Sequence, residues 1–397
     1  MSNNHPVRLA IVGGGRGSAY QKTIDILPEK VELVALCDQN TEVCERWQAQ
    51  YPGIATTTEF QWILDNPDID AVLLATPLLL HAGQSVQLME AGKHVLCEVS
   101  VAHTIEDCWR LVETVEKTGR TFMMAENFCY LRNNLLIKNM AEQNAFGELT
   151  HAECGYIHDV RDAMHRPDGS LLWRGELMRD FNGINYPTHS LGPVSQWLGI
   201  NRGDSFDFMT TIASNPAAQA DYFRSLFGDE HPGARQSFWK QGDSVLSLIR
   251  TKNGVVIYLR NDFSSPRPHN YLHYGLQGTM GAFASGRECQ EEPVAWLSAG
   301  EPQPAPPRWK PLEDYAAQYE HPAWVEHGEK SAAVCYLSEF FVLEEFVSAI
   351  LENRAPAIDV YDSVVLSSVF PLSMQSIQNN SQPITFPDFA KNKPGLA

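Results

Sequence analysis

The chain has 397 residues, with 48 Asp plus Glu against 30 Lys plus Arg, giving a formal net charge of −18. At ~150 residues per domain this length implies two or three domains, and 44% hydrophobic with 20% charged residues excludes a disordered chain. The acidic balance, with no basic run to offset it, excludes nucleic acid as the main partner, so any anionic ligand must be held by local dipoles.

Val7–Val12 is a short apolar run that ends in Gly13-Gly14-Gly15-Arg16-Gly17. Further apolar runs at Val31–Asp38, Ile69–Ala75, His94–Val99 and Thr121–Ala125 alternate with helical stretches such as Thr41–Tyr51, His81–Ala91 and Thr104–Thr118. Strands alternating with helices imply βαβ units and a parallel sheet. Their continuous apolar character implies helices on both faces. Residues 1–126 are therefore expected to form an α/β domain with a Rossmann-type, doubly wound parallel sheet.

Beyond it the pattern changes. Asn133–Asn144 reads as a helix and Leu149–Ile157 as a strand leaving the first domain. Ser244–Arg250 and Val255–Asp262 flank Asn253-Gly254, a strong hairpin signal. Leu272–Leu276 and Gly281–Ser285 add strands, Pro302–Pro311 is a surface loop, and Glu339–Glu352 and Asp362–Gln378 read as helices. Residues 127–397 are thus expected to form an α+β domain with an open, largely antiparallel sheet, serving substrate binding and oligomerisation. An open sheet needs covering, which predicts a homodimer or higher homo-oligomer.

The eight cysteines (Cys37, Cys44, Cys97, Cys108, Cys129, Cys154, Cys289, Cys335) show no CxxC spacing and sit mostly in apolar runs, which predicts free thiols. His158 and His165 lack a completing Cys or carboxylate cluster, so no metal is expected. No export signal is visible near Met1, and no window reaches about 18 apolar residues. A cytoplasmic protein with no membrane partner is the expectation.

The glycine segment follows a strand and opens a helix. Against the G-x-G-x-x-G dinucleotide template, Gly13 and Gly15 match and Ser18 takes the third place. Gly15 would let backbone approach a pyrophosphate, whose charge a helix start stabilises. Asp38 closes the second strand, where an acid binds the adenine ribose hydroxyls. No arginine follows it to receive a 2′-phosphate, which favours NAD over NADP. Thr76-Pro77 with His81, Glu98-Val99, and Glu126-Asn127 end the later strands, so these polar residues converge at the carboxyl edge where such sheets bind ligands.

At this point the sequence resembles the Gfo/Idh/MocA family of sugar oxidoreductases. That family ends its fourth strand in Glu-Lys-Pro, the lysine moving a proton at the oxidised hydroxyl; here the tripeptide is Glu98-Val99-Ser100. One branch is similar in this respect, glycoside hydrolase family 109, the NAD-dependent α-N-acetylgalactosaminidases. The resemblance spans nearly the whole chain. Met123–Asn127 with Tyr130, Phe146–Leu149, Tyr156–His158, Asn185–Val194 and Asn201–Asp204 carry it.

The resemblance implies that Arg16, Gly17, Asp38, His81, Glu98, Val99 and Asn127 contact a tightly bound, recycled NAD. It implies that Tyr156, Arg174 and the segment Tyr186, Pro187, Thr188 and His189 hold a small glycoside, with Tyr186 also near the cofactor. His189 and Tyr156 become the catalytic candidates for proton transfer. In the implied reaction NAD oxidises C3 of the sugar, the ketone acidifies the C2 proton, the aglycone leaves C1, water adds, and the ketone is reduced again. No glycosidase carboxylate pair is required.

The sequence departs from this branch in places. A sugar-contacting tyrosine is expected after Pro-Arg-Pro, but the run is Pro266-Arg267-Pro268-His269-Asn270-Tyr271, so His269 takes its place unless Tyr271 does by a shift. Cys335–Glu339 replaces a His-Gly-Gly-Met-Asp stretch. An altered sugar pocket follows. The acidic run Asp159, Arg161 and Asp162 reads as a solvated loop. Two other functions stay open: a conventional NAD-dependent sugar or polyol dehydrogenase, and a non-catalytic NAD-binding regulator.

Overall fold

The computed structural model describes residues 5–298, 307–334 and 338–391, so Cys335–Leu337 and 302–306 lie outside the described residues. In space the chain divides into two compact units. Among the described residues the first runs to Arg132 and takes in Pro322–Ser368, and the second is Asn133–His321 with Val369–Asp388.

Unit 1 carries six parallel strands, β1 (Val7–Val12), β2 (Val31–Cys37), β3 (Ala55–Thr57), β4 (Ala71–Leu74), β5 (His94–Cys97) and β6 (Phe122–Met124), in the order β3-β2-β1-β4-β5-β6. This is the doubly wound order, with β1 and β4 side by side where the winding reverses. β4 and β6 are buried along their whole length, as expected where helices cover both faces. β3 and the following helix Phe60–Asp65 were not expected. A polar three-residue edge strand has too little length to show a period.

The helices start where capping chemistry says they should. Asn40 accepts from the Glu42 N–H at 3.0 Å, and Thr104 from the Asp107 N–H at 3.0 Å. Gly119, at φ +65°, closes Ile105–Thr118. Three helices late in the chain, Pro322–Val334, Glu339–Leu351 and Val360–Ser367, also belong to unit 1. Phe340 and Phe346 are fully buried, and Phe341 stacks on Tyr130 with centroids 6.0 Å apart.

His94 opens β5 and accepts the Thr121 N–H on Nδ1 at 2.9 Å. Burial, helped by Arg120, pushes its pKa down to about 4. The unfolded chain, near 6.5, then binds the extra proton first, so this group costs stability as pH falls from about 6.5 to about 4. The loss should reach at most ~3 kcal/mol. Denaturant unfolding at pH 7 and pH 4.5 should show it, and His94→Gln should flatten it; a wild-type-like slope in the variant contradicts the assignment.

Unit 2 holds nine strands, β7 (Leu149–Ile157), β8 (Phe206–Ala213), β9 (Ser244–Thr251), β10 (Val256–Asp262), β11 (Asn270–Gly278), β12 (Gly281–Ala284), β13 (Val294–Leu297), β14 (Lys310–Pro311) and β15 (Ile384–Thr385). The order is β14-β13-β12-β11-β7-β10-β9-β8-β15, antiparallel except for the β7/β10 pair. The expected hairpin joins β9 to β10, with Gly254 at φ +97°. Burial alternates along β9 and leaves Leu246 and Leu248 exposed, with Leu246 paired to the exposed Ile212.

The single helix expected over Asp362–Gln378 is two, Val360–Ser367 and Val369–Gln378. Pro371 explains the break, because proline lacks the N–H that would bond the Ser367 carbonyl and its ring crowds that carbonyl. The first helix belongs to unit 1 and the second to unit 2, where its Ser376 Oγ accepts the Thr211 N–H of β8 at 3.0 Å.

Candidate active site

In unit 1 the ends of β1 and β4 bring the glycine turn against Ala75-Thr76. Gly13 has φ +97°, and a Cβ there would run into the Ala75 carbonyl, so only glycine fits. Trp47, fully buried, donates Nε1–H to the Gly14 carbonyl at 3.0 Å and so ties the helix Thr41–Gln50 to the turn. A Cβ on Gly17 would lie 2.5 Å from Ile11 Cγ2. Gly17, not Ser18, therefore provides the close helix-to-strand approach of the third template position. Ser18 is exposed and donates its hydroxyl to the Gly15 carbonyl at 2.7 Å. At Gly15 nothing lies within 4 Å of a Cβ, which leaves its backbone open to a ligand.

Asp38 follows β2. Its Oδ2 accepts the Gly14 N–H at 2.8 Å and its Oδ1 the Asn40 N–H at 2.9 Å. At the end of β5, Glu98 Oε1 accepts from Arg16 Nε at 2.9 Å and from the buried Tyr20 hydroxyl at 3.3 Å. Burial and the Glu98 charge push the Tyr20 phenol well up. Arg16 also reaches Glu339 Oε1 at 3.5 Å. In the sequence Glu339 reads as the end of the Cys335–Glu339 stretch and the start of a helix; it sits some 240 residues after Glu98, and its contact with Arg16 comes from the fold.

His81 is buried, with Nδ1 2.8 Å from the Ser100 carbonyl and Nε2 2.7 Å from that of Thr76. Burial lowers its pKa against both carbonyls. A neutral ring donates to only one of them, so the ring is clamped between two strand-end loops. Val99 is buried and joined to Ser100 by a cis peptide. Asn127 is buried, and its Oδ1 has no hydrogen-bond partner. An open backbone, a strand-end carboxylate and an unpartnered amide oxygen suit the phosphates, ribose hydroxyls and carboxamide of NAD.

In unit 2, a cavity of about 340 Å³ is lined by Tyr156, His158, Asp159, Asp162, Trp173, Arg174, Tyr186, Phe263 and His269, with four small or apolar neighbours. Tyr156 is its hub. Alternation along β7 sets it on the side of the buried Ala152 and Cys154. Its ring lies 5.3 Å from those of Tyr186 and His189, 5.4 Å from His158 and 5.7 Å from Phe263. Arg174 lies over the Trp173 ring, 4.3 Å from its centroid.

His189 is the second residue of the helix Thr188–Trp197. Pro193 stands four residues on and has no N–H to bond the His189 carbonyl. Tyr274 of β11 supplies the donor instead, its hydroxyl 2.5 Å from that carbonyl. Pro187, Thr188 and His189 are buried beside the cavity rather than among its lining residues. Both candidates that follow Pro-Arg-Pro, His269 and Tyr271, come into the cluster. His269 lines the cavity, while Tyr271 lies behind it, 6.4 Å from Tyr156 and 5.6 Å from His158. Tyr186 belongs to this aromatic set.

The acidic run is solvated only in part: Asp162 is exposed, while Asp159 and Arg161 are half-buried. Asp159 and Asp162 line the cavity, and Arg161 grips Asp159 through Nε and Nη2 at 2.8 and 2.7 Å. His165 is likewise structural, its Nε2 3.1 Å from the Tyr222 hydroxyl. Among the described residues no group of three or more His, Cys, Asp or Glu is arranged to hold a metal ion.

Residues 7–126 match the profile described as oxidoreductase family, NAD-binding Rossmann fold. With the mixed sheet that follows, this defines a Gfo/Idh/MocA-type protein that binds NAD. Residues 130–394 match the glycosyl hydrolase 109 C-terminal domain. The chain is 37% identical over 401 residues to a glycosyl hydrolase family 109 protein of Shewanella putrefaciens, covering 97% of this chain and 85% of that one. It is 33% identical over 404 residues to one from Solibacter usitatus, at 98% and 90% coverage. The chain belongs to glycosyl hydrolase family 109.

Solved structures share the fold at low identity. Levoglucosan dehydrogenase, in complex with NADH and levoglucosan, aligns at TM-score 0.77 and 21% identity over 96% of this chain and 100% of that one. An aldose-aldose oxidoreductase from Caulobacter crescentus, complexed with glycerol, aligns at 0.68 and 19% over 96% and 100%.

Proposed function

We propose that this protein is an NAD-dependent glycosidase that oxidises its sugar transiently and ends with no net redox change. The observation that carries this reading is the Tyr156–His189 pair, a phenol and an imidazole 5.3 Å apart beside an aromatic cavity, in a chain whose strand-end lysine is the buried Val99. On this reading Gly13, Gly15, Arg16, Gly17, Asp38, His81, Glu98, Val99 and Asn127 hold NAD. Tyr156, Arg174, Tyr186 and His269 hold the glycoside, and the Pro187–Thr188 turn fixes His189.

Bound NAD supplies oxidation of the C3 hydroxyl to a ketone and its later reversal. The protein then has only protons to move. His189 takes the proton from C2, made acidic by the adjacent ketone, and returns one there after water has added at C1. Tyr156 donates to the oxygen on which the enolate charge develops. Aromatic faces on the cavity wall pack against the sugar ring and exclude water.

With the NAD-loaded protein, aryl glycosides should release their aglycone without net accumulation of reduced nicotinamide. Stoichiometric NADH with free sugar would instead support the dehydrogenase alternative.

We further assign the exposed Ile212, Leu246, Leu248 and Val256, which share one face of β8, β9 and β10, to a contact between copies of the chain. Leu248→Asp should lower the sedimenting mass, and an unchanged mass would remove the assignment. The seven described cysteines are all free, which supports a reducing, cytoplasmic location. Among the described residues no helix is long and apolar enough to cross a membrane.

A further inference from the structure

His158 and His269, distant in sequence, meet at the cavity with Nδ1 2.8 Å from Nδ1 and rings nearly perpendicular. A contact of this kind needs one protonated and one bare nitrogen. His158 follows β7, its backbone N–H bonded to the Asp262 carbonyl at 2.9 Å. Burial, and next the His269 ring, push its pKa down to about 4, against Asp159 and Asp162 and with His189. At neutral pH His158 is therefore uncharged. The tautomer of His158 with a bare Nδ1 makes it the acceptor, and His269 then carries the proton on its own Nδ1. In that arrangement Nε2 is the His269 nitrogen outside the pair. His269 is exposed on the cavity wall. Asp159 stands beside it; burial opposes its ionisation, but the hydrogen bonds from Arg161 prevail and hold it below the usual carboxylate range. The rings of Tyr156 and Tyr271 complete the surroundings of the pair.

We propose that His269 protonates the departing glycosidic oxygen, and that His158 is a positioning residue that fixes the His269 tautomer. The inference rests on the glycosidase reading above. His269, carrying a proton on each ring nitrogen when it acts, gives the Nε2 proton to the glycosidic oxygen as C1–O breaks, and the bonding pair leaves on that oxygen. The pair freed by loss of the C2 proton closes the C1–C2 double bond of the enone. Water then adds at C1 and returns a proton to Nε2, so the imidazole pair ends the cycle as it began.

The test compares two glycosides of one sugar, a 4-nitrophenyl glycoside, whose aglycone leaves without help, and a methyl glycoside, whose aglycone needs a proton. His269→Gln should lose about 100-fold or more on the methyl glycoside and about threefold or less on the nitrophenyl one. His158→Leu should follow it. His158→Gln, whose amide oxygen keeps an acceptor for Nδ1–H, should recover most of the loss. Apart from turnover, imidazole ¹⁵N spectra should show the proton of neutral His269 on Nδ1 in the wild type and redistributed in His158→Leu. Equal losses on both glycosides, or neutral His269 protonated on Nε2 in the wild type, would overturn the proposal. A wild-type protein inert toward both glycosides would overturn the glycosidase reading itself, whatever the spectra show.

Discussion

Gly13→Ala is expected to destabilise the protein by about 2–5 kcal/mol and to abolish NAD binding. The left-handed φ of +97° costs a side chain about 1–2 kcal/mol. The added methyl also meets the Ala75 carbonyl and lies 3.0 Å from the Thr76 amide nitrogen, and overpacking of this kind adds about 1–3 kcal/mol. Both obstacles are backbone atoms, so no side-chain rotation relieves them. The strand ends must part, although the Gly13 N–H is bonded to Cys37 O at 2.9 Å. Gly15→Ala is the matched control. Its Cβ meets nothing within 4 Å, so it should fold as the wild type does and lose only NAD affinity. Thermal unfolding and calorimetric titration read the two effects apart. A Gly13→Ala protein as stable as the wild type would contradict the role given to the turn.

His189→Gln should lose about 10²- to 10⁴-fold in glycoside turnover while folding normally and keeping its NAD. The fold is expected to survive because the His189 carbonyl, held by Tyr274, keeps its bond in the variant. The glutamine amide fills similar space but does not exchange a proton near neutral pH, and imidazole does. Tyr156→Phe should show a comparable loss with its ring packing kept. A His189→Gln protein retaining more than about a tenth of the wild-type rate would shift the proton transfer to another group, whatever its Tm.

The parallel sheet was legible because its strands are unbroken apolar runs separated by capped helices. The glycine turn and Asp38 were legible because strand, loop and acid occur in a fixed order. Other features were not legible, for physical reasons. The helix Glu339–Leu351 announces itself as apolar, but periodicity cannot say which unit it joins. It packs with unit 1, and so Glu339 reaches Arg16. Pro371 was a visible break inside an apparent helix, but the apolar pattern on either side hid it. Tyr156 was readable as a strand residue and its role in the site came from the family resemblance, but its place as hub of the aromatic cluster came only from the fold. The His158–His269 pair joins residues 111 apart, and no local pattern encodes such a contact. Asp159 and Asp162 looked like solvent-facing charge, because a short polar loop reads the same whether it faces water or a cavity.

The central claim is that the sugar passes through a C3 ketone whose C2 proton is exchanged. It is tested most directly by hydrolysing an aryl glycoside with the NAD-loaded protein in D₂O and examining the released sugar by NMR. Deuterium at C2 of the product is the expected result. A product that keeps its protium fully at C2 would contradict cleavage by oxidation and elimination.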